Sequence, residues 1–347
     1  MLLLQRTRKY FGVIDGSSIR PDGFVGLSLE QINATVLSTE SGSVALSEVF
    51  ELSSDQMSPV VRQAQELGLA VVDLVIDPHA SGSLTRSTTL NLDFDEALEP
   101  FLVVEGDCET IEGLGTQMQN GTMCILGNVG DNTGKSMVGG SLVVSGNARD
   151  HLGAGMTDGL VYVLGNCRHG LASPLPGKKS GMRGGDILVA GNVGDRACER
   201  MRRGTVFVAG DAGDYCAPQM IAGTLAVMGN LGSHWAGGMR RGSLILGRDF
   251  STHPTASLSE ARDFELSFLP LIWRHIEKLQ NEAIAILSLA NALTRTALQR
   301  ASNEFPGPIK IPRTRWVQRQ IGDLNCKGRG EVLVLRRVSS PAYGPVK

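Results

Sequence analysis

Residues 127–146 read GNVGDNTGKSMVGGSLVVSG, and residues 146–165 read GNARDHLGAGMTDGLVYVLG. The second line repeats the first. Each opens on Gly-Asn, places Asp at its fifth position and carries Met followed three residues later by Gly. Each then runs into a short apolar stretch. Working outward, the methionines fall at Met118, Met137, Met156, Met182, Met201, Met220 and Met239, in steps of 19, 19, 26, 19, 19 and 19 residues. The partner glycines, from Gly121 to Gly242, keep the same steps. The single seven-residue excess falls around residues 173–179. A period this strict means stacked copies of one unit.

Nineteen residues are too few for the helix pair of a helical repeat. At ~3.3 Å per residue they trace roughly 60 Å, enough for one three-sided coil of β-structure. The sequence therefore predicts a mainly β fold, a right-handed parallel β-helix (solenoid) of about seven 19-residue coils. Strands are expected at 122–126, 141–145, 160–164, 186–190, 205–209, 224–228 and 243–246. Their inward pairs run from Met123/Ile125 and Leu142/Val144 to Leu225/Val227 and Leu244/Leu246. Every one is apolar, as period-2 alternation around a closed core requires.

Stacked coils lie about 4.8 Å apart, so equivalent residues form columns. Asn128, Asn147, Asn166, Asn192 and Asn230, with Asp211, form one, suited to an amide ladder. Asp131, Asp150, Asp195 and Asp214 form another, with His169 in the place of Asp in its own coil. Stacked carboxylates repel. A cation would relieve that, and so would hydrogen bonds to backbone at the corners. On the outer side of the strands Cys124, Val143, Tyr162, Leu188, Phe207, Ala226 and Ile245 share a column. A continuous apolar strip is normally covered. Two covers fit: the chain's own C-terminal helix or a permanent partner protein. On the second reading Cys124, Val143, Tyr162, Leu188, Phe207 and Ile245 are the candidate partner interface, and Tyr162→Asp or Phe207→Asp damages assembly more than coil formation.

Residues 1–100 read as a β-rich N-terminal cap over an open solenoid end, whose strand edges need covering. Strands are expected near 42–46, 49–52, 69–76 and 101–105, a capped segment at 28–32, a short helix at 59–68 and a loop at 77–82. Residues 101–249 are the glycine-rich β-helix. Residues 250–347 hold a C-terminal helical extension and a tail. The helix is expected from about Ser267 to Leu289, with Pro270 in its first turn. Its apolar face is Leu271, Ile272, Ile276, Leu279, Ala283, Ile286, Leu287 and Ala290. Pro306 and Pro312 break it. In the tail, Lys327-Gly-Arg-Gly-Glu331 reads as a tight turn into a last strand at 332–335, with a phosphate-binding loop as the less favoured alternative.

Thirty-three Lys and Arg against thirty-five Asp and Glu give a net charge of −2, spread along the chain, with no basic footprint for nucleic acid. No apolar run approaches the ~18 residues that span a bilayer, and MLLLQRTRKY is too short in its apolar part for a secretory signal. The six cysteines lack any C-x-x-C spacing, which suits reduced thiols in a cytoplasmic protein and no zinc or iron–sulfur site. No H-E-x-x-H, G-x-S-x-G or phosphate-loop pattern occurs. The expectation is no catalytic, cofactor or metal residue on this chain. One corner departs from the period. There His169, Lys178, Lys179 and Arg183 are candidates for a loop that contributes to a shared site.

The repeated Gly-Asn-x-Gly-Asp and Gly-Met-x-x-Gly-[Ser/Thr] units resemble the glycine-rich repeat domain of the C-type subunits of formylmethanofuran dehydrogenase. They resemble more distantly the C-terminal repeat domain of the glutamate synthase large subunit. Gly155-Met156, Pro176-Gly-Lys-Lys-Ser-Gly-Met182 and Gly191-Asn-Val-Gly-Asp195 are similar to the C-type family. So is Ser47-Glu-Val-Phe-Glu51. Trp273-Arg-His and Ile321-Gly-Asp-Leu with Lys327-Gly-Arg-Gly-Glu-Val-Leu333 are similar to its bacterial branch. The resemblance implies a non-catalytic scaffold subunit of a hetero-oligomeric formyltransferase/hydrolase complex in one-carbon metabolism. That complex moves a formyl group from a tetrahydromethanopterin carrier to a methanofuran-type carrier and hydrolyses the product to formate, completing formaldehyde oxidation. The carriers and catalytic residues lie on other subunits. The alternative it implies is the same C-type component in a molybdenum or tungsten formylmethanofuran dehydrogenase, where it contributes residues to a shared active site. A third reading, a glutamate-synthase-type ammonia-channel support, is disfavoured by the lack of an N-terminal glutaminase Cys and of flavin or iron–sulfur motifs.

Overall fold

The computed structural model describes residues 2–6, 14–17, 19–23, 36–39, 42–45, 50–53, 69–70, 99–249, 252–294 and 309–336. In chain order the strands are β1 (Leu2–Arg6), β2 (Ile14–Asp15), β3 (Val36–Thr39), β4 (Gly42–Ala45), β5 (Phe50–Ser53), β6 (Leu69–Ala70), β7 (Glu99–Glu105) and β8 (Ile111–Glu112). The repeat supplies β9 (Thr122–Leu126), β10 (Ser141–Val144), β11 (Leu160–Val163), β12 (Asp186–Val189), β13 (Thr205–Val208), β14 (Thr224–Val227) and β15 (Ser243–Leu246). The extension adds β16 (Arg262–Glu265), helix α1 (Leu269–Thr294), β17 (Trp316–Gly322) and β18 (Gly330–Leu335). The fold is the expected mainly β solenoid. The expected capped segment at 28–32, helix at 59–68 and loop at 77–82 lie outside the described residues, as does most of 69–76.

Strands β7, β9 to β15 and β18 stack in parallel, with each coil's strand in register with the next, as in Leu142↔Val161 and Val206↔Leu225. Parallel bridges Cys108↔Val129↔Ala148↔Cys167↔Val193↔Ala212↔Leu231 form a second face. The inward residues of both faces and all seven repeat methionines make one buried core. The Met-x-x-Gly spacing has a direct cause. The methionine of one coil fills the space beneath the partner glycine of the next. A Cβ built on Gly159 would come within 2.9 Å of the Met137 methyl, and Gly159 sits at φ +96°. The positive φ and the close approach together demand glycine. The seven-residue excess leaves the rod as a loop and returns in register, where the Met182 amide donates to the Ala172 carbonyl at 2.9 Å.

The tail closes the rod in a way the repeat does not announce. Strand β18 pairs in parallel with β15, Ser243 opposite Glu331, so a segment some ninety residues downstream acts as a further coil. Gly330 takes the partner-glycine place over Met239, whose methyl would lie 2.8 Å from a Cβ there. Strands β17 and β16 then add antiparallel. Asp323 is the pin. Its buried carboxylate accepts from the amides of Gly238 (3.1 Å), Ser257 (3.0 Å) and Asn325 (2.9 Å). Residues 327–331 form the tight turn into the strand.

Helix α1 covers the outer strip. Cys124, Val143, Leu188, Phe207, Ala226 and Ile245 are completely buried and Tyr162 is 1% exposed, in one cluster with the helix. The buried seam is Leu269, Trp273, Ile276, Gln280, Ala283, Leu287 and Ala290, at strict four-three spacing. Twenty-six residues at ~1.5 Å rise give about 39 Å, and nine strands at ~4.8 Å span about 38 Å, so one helix is long enough to lie along the whole stack. Two expectations are corrected here. The strip residues Cys124, Val143, Tyr162, Leu188, Phe207 and Ile245 are not a partner interface, because this chain's own helix removes them from contact. Leu271, expected on the apolar face, is 64% exposed, because the seam runs through Leu269 and Trp273 instead.

Candidate functional site

The corner columns come first, since their polar side chains hydrogen-bond from coil to coil. Asn128 Oδ1 accepts from the Asn147 backbone amide at 2.8 Å and from its side-chain amide at 3.3 Å, and Asn147 does the same for Asn166. In the second column Asp131 Oδ1 accepts from the Asp150 amide and Asp150 Oδ1 from the His169 amide, both at 3.0 Å. Asp195 caps the Asp214 amide at 2.8 Å. The carboxylates are thus engaged by backbone N–H groups, as the hydrogen-bonded corner requires. Arg149 lies 3.5 Å from Asp131 and Arg168 3.7 Å from Asp150, easing the repulsion. Among the described residues no group of three His, Cys, Asp or Glu is placed to hold a metal ion.

His169 belongs to this column. Its Nδ1 accepts from the Asp195 amide at 3.0 Å, as an aspartate oxygen would, and lies 3.5 Å from the Asp195 carboxylate. It therefore separates from the other candidates of its loop. Lys178, Lys179 and Arg183 do come together, lining a cleft of about 630 Å³ with Gln117, Gln119, Lys135, Val138 and Thr157. The extra loop is seated there by Leu175, which lies 3.1 Å from the position of a Cβ on Gly155. The Lys178 amide closes its turn on the Leu175 carbonyl at 2.9 Å. Lys135 and Gln117 also border a neighbouring cleft of about 700 Å³ with Arg20, Asp15 and Glu112. Sequence reasoning misses Lys135. A signal exists, since Lys135 is two residues before Met137 and Gln117 is one before Met118, on the corner that the extra loop overhangs.

Five of the six cysteines and Tyr162 are buried, while Cys326 is exposed. The six cysteines form no disulfide. Burial pushes the thiols of Cys124 and Cys167 far up and that of Cys216 up to about 12. Burial, and secondarily the neighbouring Cys216, raises Cys198. Thiols held protonated in this way are poor nucleophiles. Burial also raises the Tyr162 phenol to about 12. Among the described residues no helix is long and apolar enough to cross a membrane.

A family model described as the GXGXG motif matches residues 179–258. No curated protein matches the chain in sequence. In structure, the chain is similar to one in the X-ray crystal structure of the formyltransferase/hydrolase complex (FhcABCD) from Methylorubrum extorquens in complex with methylofuran. The TM-score is 0.68 at 26% identity, over 96% of this chain and 100% of that one. The similarity thus extends well beyond the repeat, into both flanking regions.

Proposed function

We propose that this chain is a structural, non-catalytic subunit of a hetero-oligomeric formyltransferase/hydrolase complex. The observation that carries the proposal is the end-to-end similarity to a chain of such a complex, covering all of that chain. The physics of the rod supports it. Its corner carboxylates serve as caps for backbone amides, five of its six thiols are buried, and its strand flank is sealed by its own helix. What remains is a stiff body of fixed register on which other subunits can be held at set distances. The formyl group would pass from a tetrahydromethanopterin carrier to a methanofuran-type carrier, with both carriers on the assembled complex. The test is to purify this chain alone and then with the other subunits. Formyl transfer and formate release are expected only from the assembly. Turnover by the isolated chain would overturn the proposal.

A second reading, contribution to a shared site, is favoured by one observation, the cleft where Lys135, Lys178, Lys179 and Arg183 converge. Alanine at Lys178, Lys179 and Arg183 in the assembled complex separates the two. Unchanged turnover leaves a purely structural role; a fall of tenfold or more places these cations at a shared site. Whether the assembly is hydrolytic or a molybdenum or tungsten redox enzyme is decided by metal analysis of the same preparation.

A further inference from the structure

The corner just after each repeat methionine carries a second pattern. Positions one and two beyond the methionine form two adjacent columns along the rod. Arg183, Arg202 and Arg240 stand in the first, and Arg203 and Arg241 in the second, with Ile221 and Ala222 interrupting both columns at the coil of Met220. Arg329 extends the second column, because Glu331 pairs with Ser243 and so places Arg329 beside Arg241. All six are exposed. None of the six side chains has an ion pair or hydrogen bond among the described residues, although the same rod pairs Arg149, Arg168, Arg319 and Arg336 with carboxylates. Of nearby acids, Asp158 stands in the second column, and Glu199 lies between Arg196 and Arg200. Arg183 with Arg202, and Arg241 with Arg329, are neighbours on successive coils, and like charges stacked at ~4.8 Å repel, so these pairs cost stability unless something opposes their charge.

We infer that this arginine edge is the docking surface for an acidic face of another protein subunit, which deepens the proposed function and rests on it. Three features select a protein over a small anion. The ladder covers four coil spacings, about 19 Å at ~4.8 Å each, whereas a single phosphate or carboxylate meets one or two guanidinium groups. Its upper end continues into the cleft bordered by Lys135, six spacings from Arg329. That length of about 29 Å matches the side of a standard interface of ~800 Å² per partner. Every cation of the ladder is Arg, never Lys. Arg is enriched at protein interfaces where Lys is depleted, and its planar fork pairs with carboxylates in two parallel hydrogen bonds. The adjoining strand flank is already sealed by α1, which leaves this edge for a partner.

The test uses the assembled complex. The chain is co-expressed with the formyltransferase, hydrolase and remaining subunit of the complex from the same source, and association is measured at 0.1 and 0.5 M NaCl. For Arg202→Glu/Arg240→Glu/Arg329→Glu an affinity loss of a hundredfold or more is expected, with the thermal midpoint of the isolated chain no lower than that of wild type. The triple Lys variant should lose about tenfold. If wild type assembles and the Glu variant assembles equally well, the docking inference fails and the subunit reading stands. If wild type itself does not assemble, both fail. If assembly is intact but binding of an oligo-aspartate peptide is lost, the edge serves a polyanionic ligand and the inference is overturned.

Discussion

The two long sides of this rod obey the same 19-residue period and end in opposite states. The strand flank is apolar from Cys124 to Ile245 and is closed by the chain itself through α1. The methionine corner carries six arginines between Arg183 and Arg329, interrupted by Ile221 and Ala222, and none of their side chains has an ion pair among the described residues. Both are columns produced by stacking copies of one unit, the first uniformly apolar and the second basic only in its later coils. The difference lies in what each column needs. Apolar side chains are satisfied by any greasy cover, and a helix with a four-three seam is the simplest one to encode. Guanidinium groups need carboxylates at defined positions, which the solenoid supplies to Arg149 and Arg168 but, among the described residues, to none of the six arginines of this corner.

The sharpest way to break this contrast is to put a charge on the sealed flank. Phe207→Asp is expected to abolish cooperative unfolding of the isolated chain, since an unpaired buried carboxylate costs on the order of 4–5 kcal/mol or more. A variant that keeps its thermal midpoint by circular dichroism would mean the helix does not cover this strip. Next in size is Asp323→Ala, which leaves three backbone amides without their acceptor. A loss of about 2–3 kcal/mol in urea denaturation is expected, with β16 to β18 released before the repeat. A smaller and opposite effect is expected in the helix seam. Gln280 is 2% exposed and its Oε1 has no hydrogen-bond partner among the described residues, so Gln280→Met should raise stability by about 1 kcal/mol. A decrease would mean that the side-chain amide is satisfied by a group beyond the described residues. On the other side of the comparison, Lys178→Ala/Lys179→Ala/Arg183→Ala should change stability by no more than about 0.5 kcal/mol, because these exposed side chains make no ion pair among the described residues. A large shift would mean that the extra loop is a structural clamp.

The candidate site is legible in the sequence only in part. Lys178, Lys179 and Arg183 stand out because their segment interrupts the period, and the structure gathers them in one cleft. Proximity along the chain groups His169 with them. Its ring instead stands in for an aspartate in the corner ladder, a role visible only once the hydrogen-bond direction between coils is known. Lys135 joins the cleft from two coils earlier, and separation along the chain hides it.

The period, the inward alternation and the glycine at each partner position were determined by the sequence alone, for a physical reason. Each is a local demand repeated seven times, and stacking in register turns repetition along the chain into contact in space. The expected strands at 122–126 and 243–246 coincide with β9 and β15, and their neighbours end within a residue of expectation. Only the tertiary structure decided what covers the apolar flank and what closes the rod. Both depend on single, non-repeated encounters: α1 against a strip up to 166 residues upstream (Cys124 to Ala290), and β18 beside β15 with Asp323 fastening the join. A contact made once leaves no period to read, so its partner emerges only when the chain is folded.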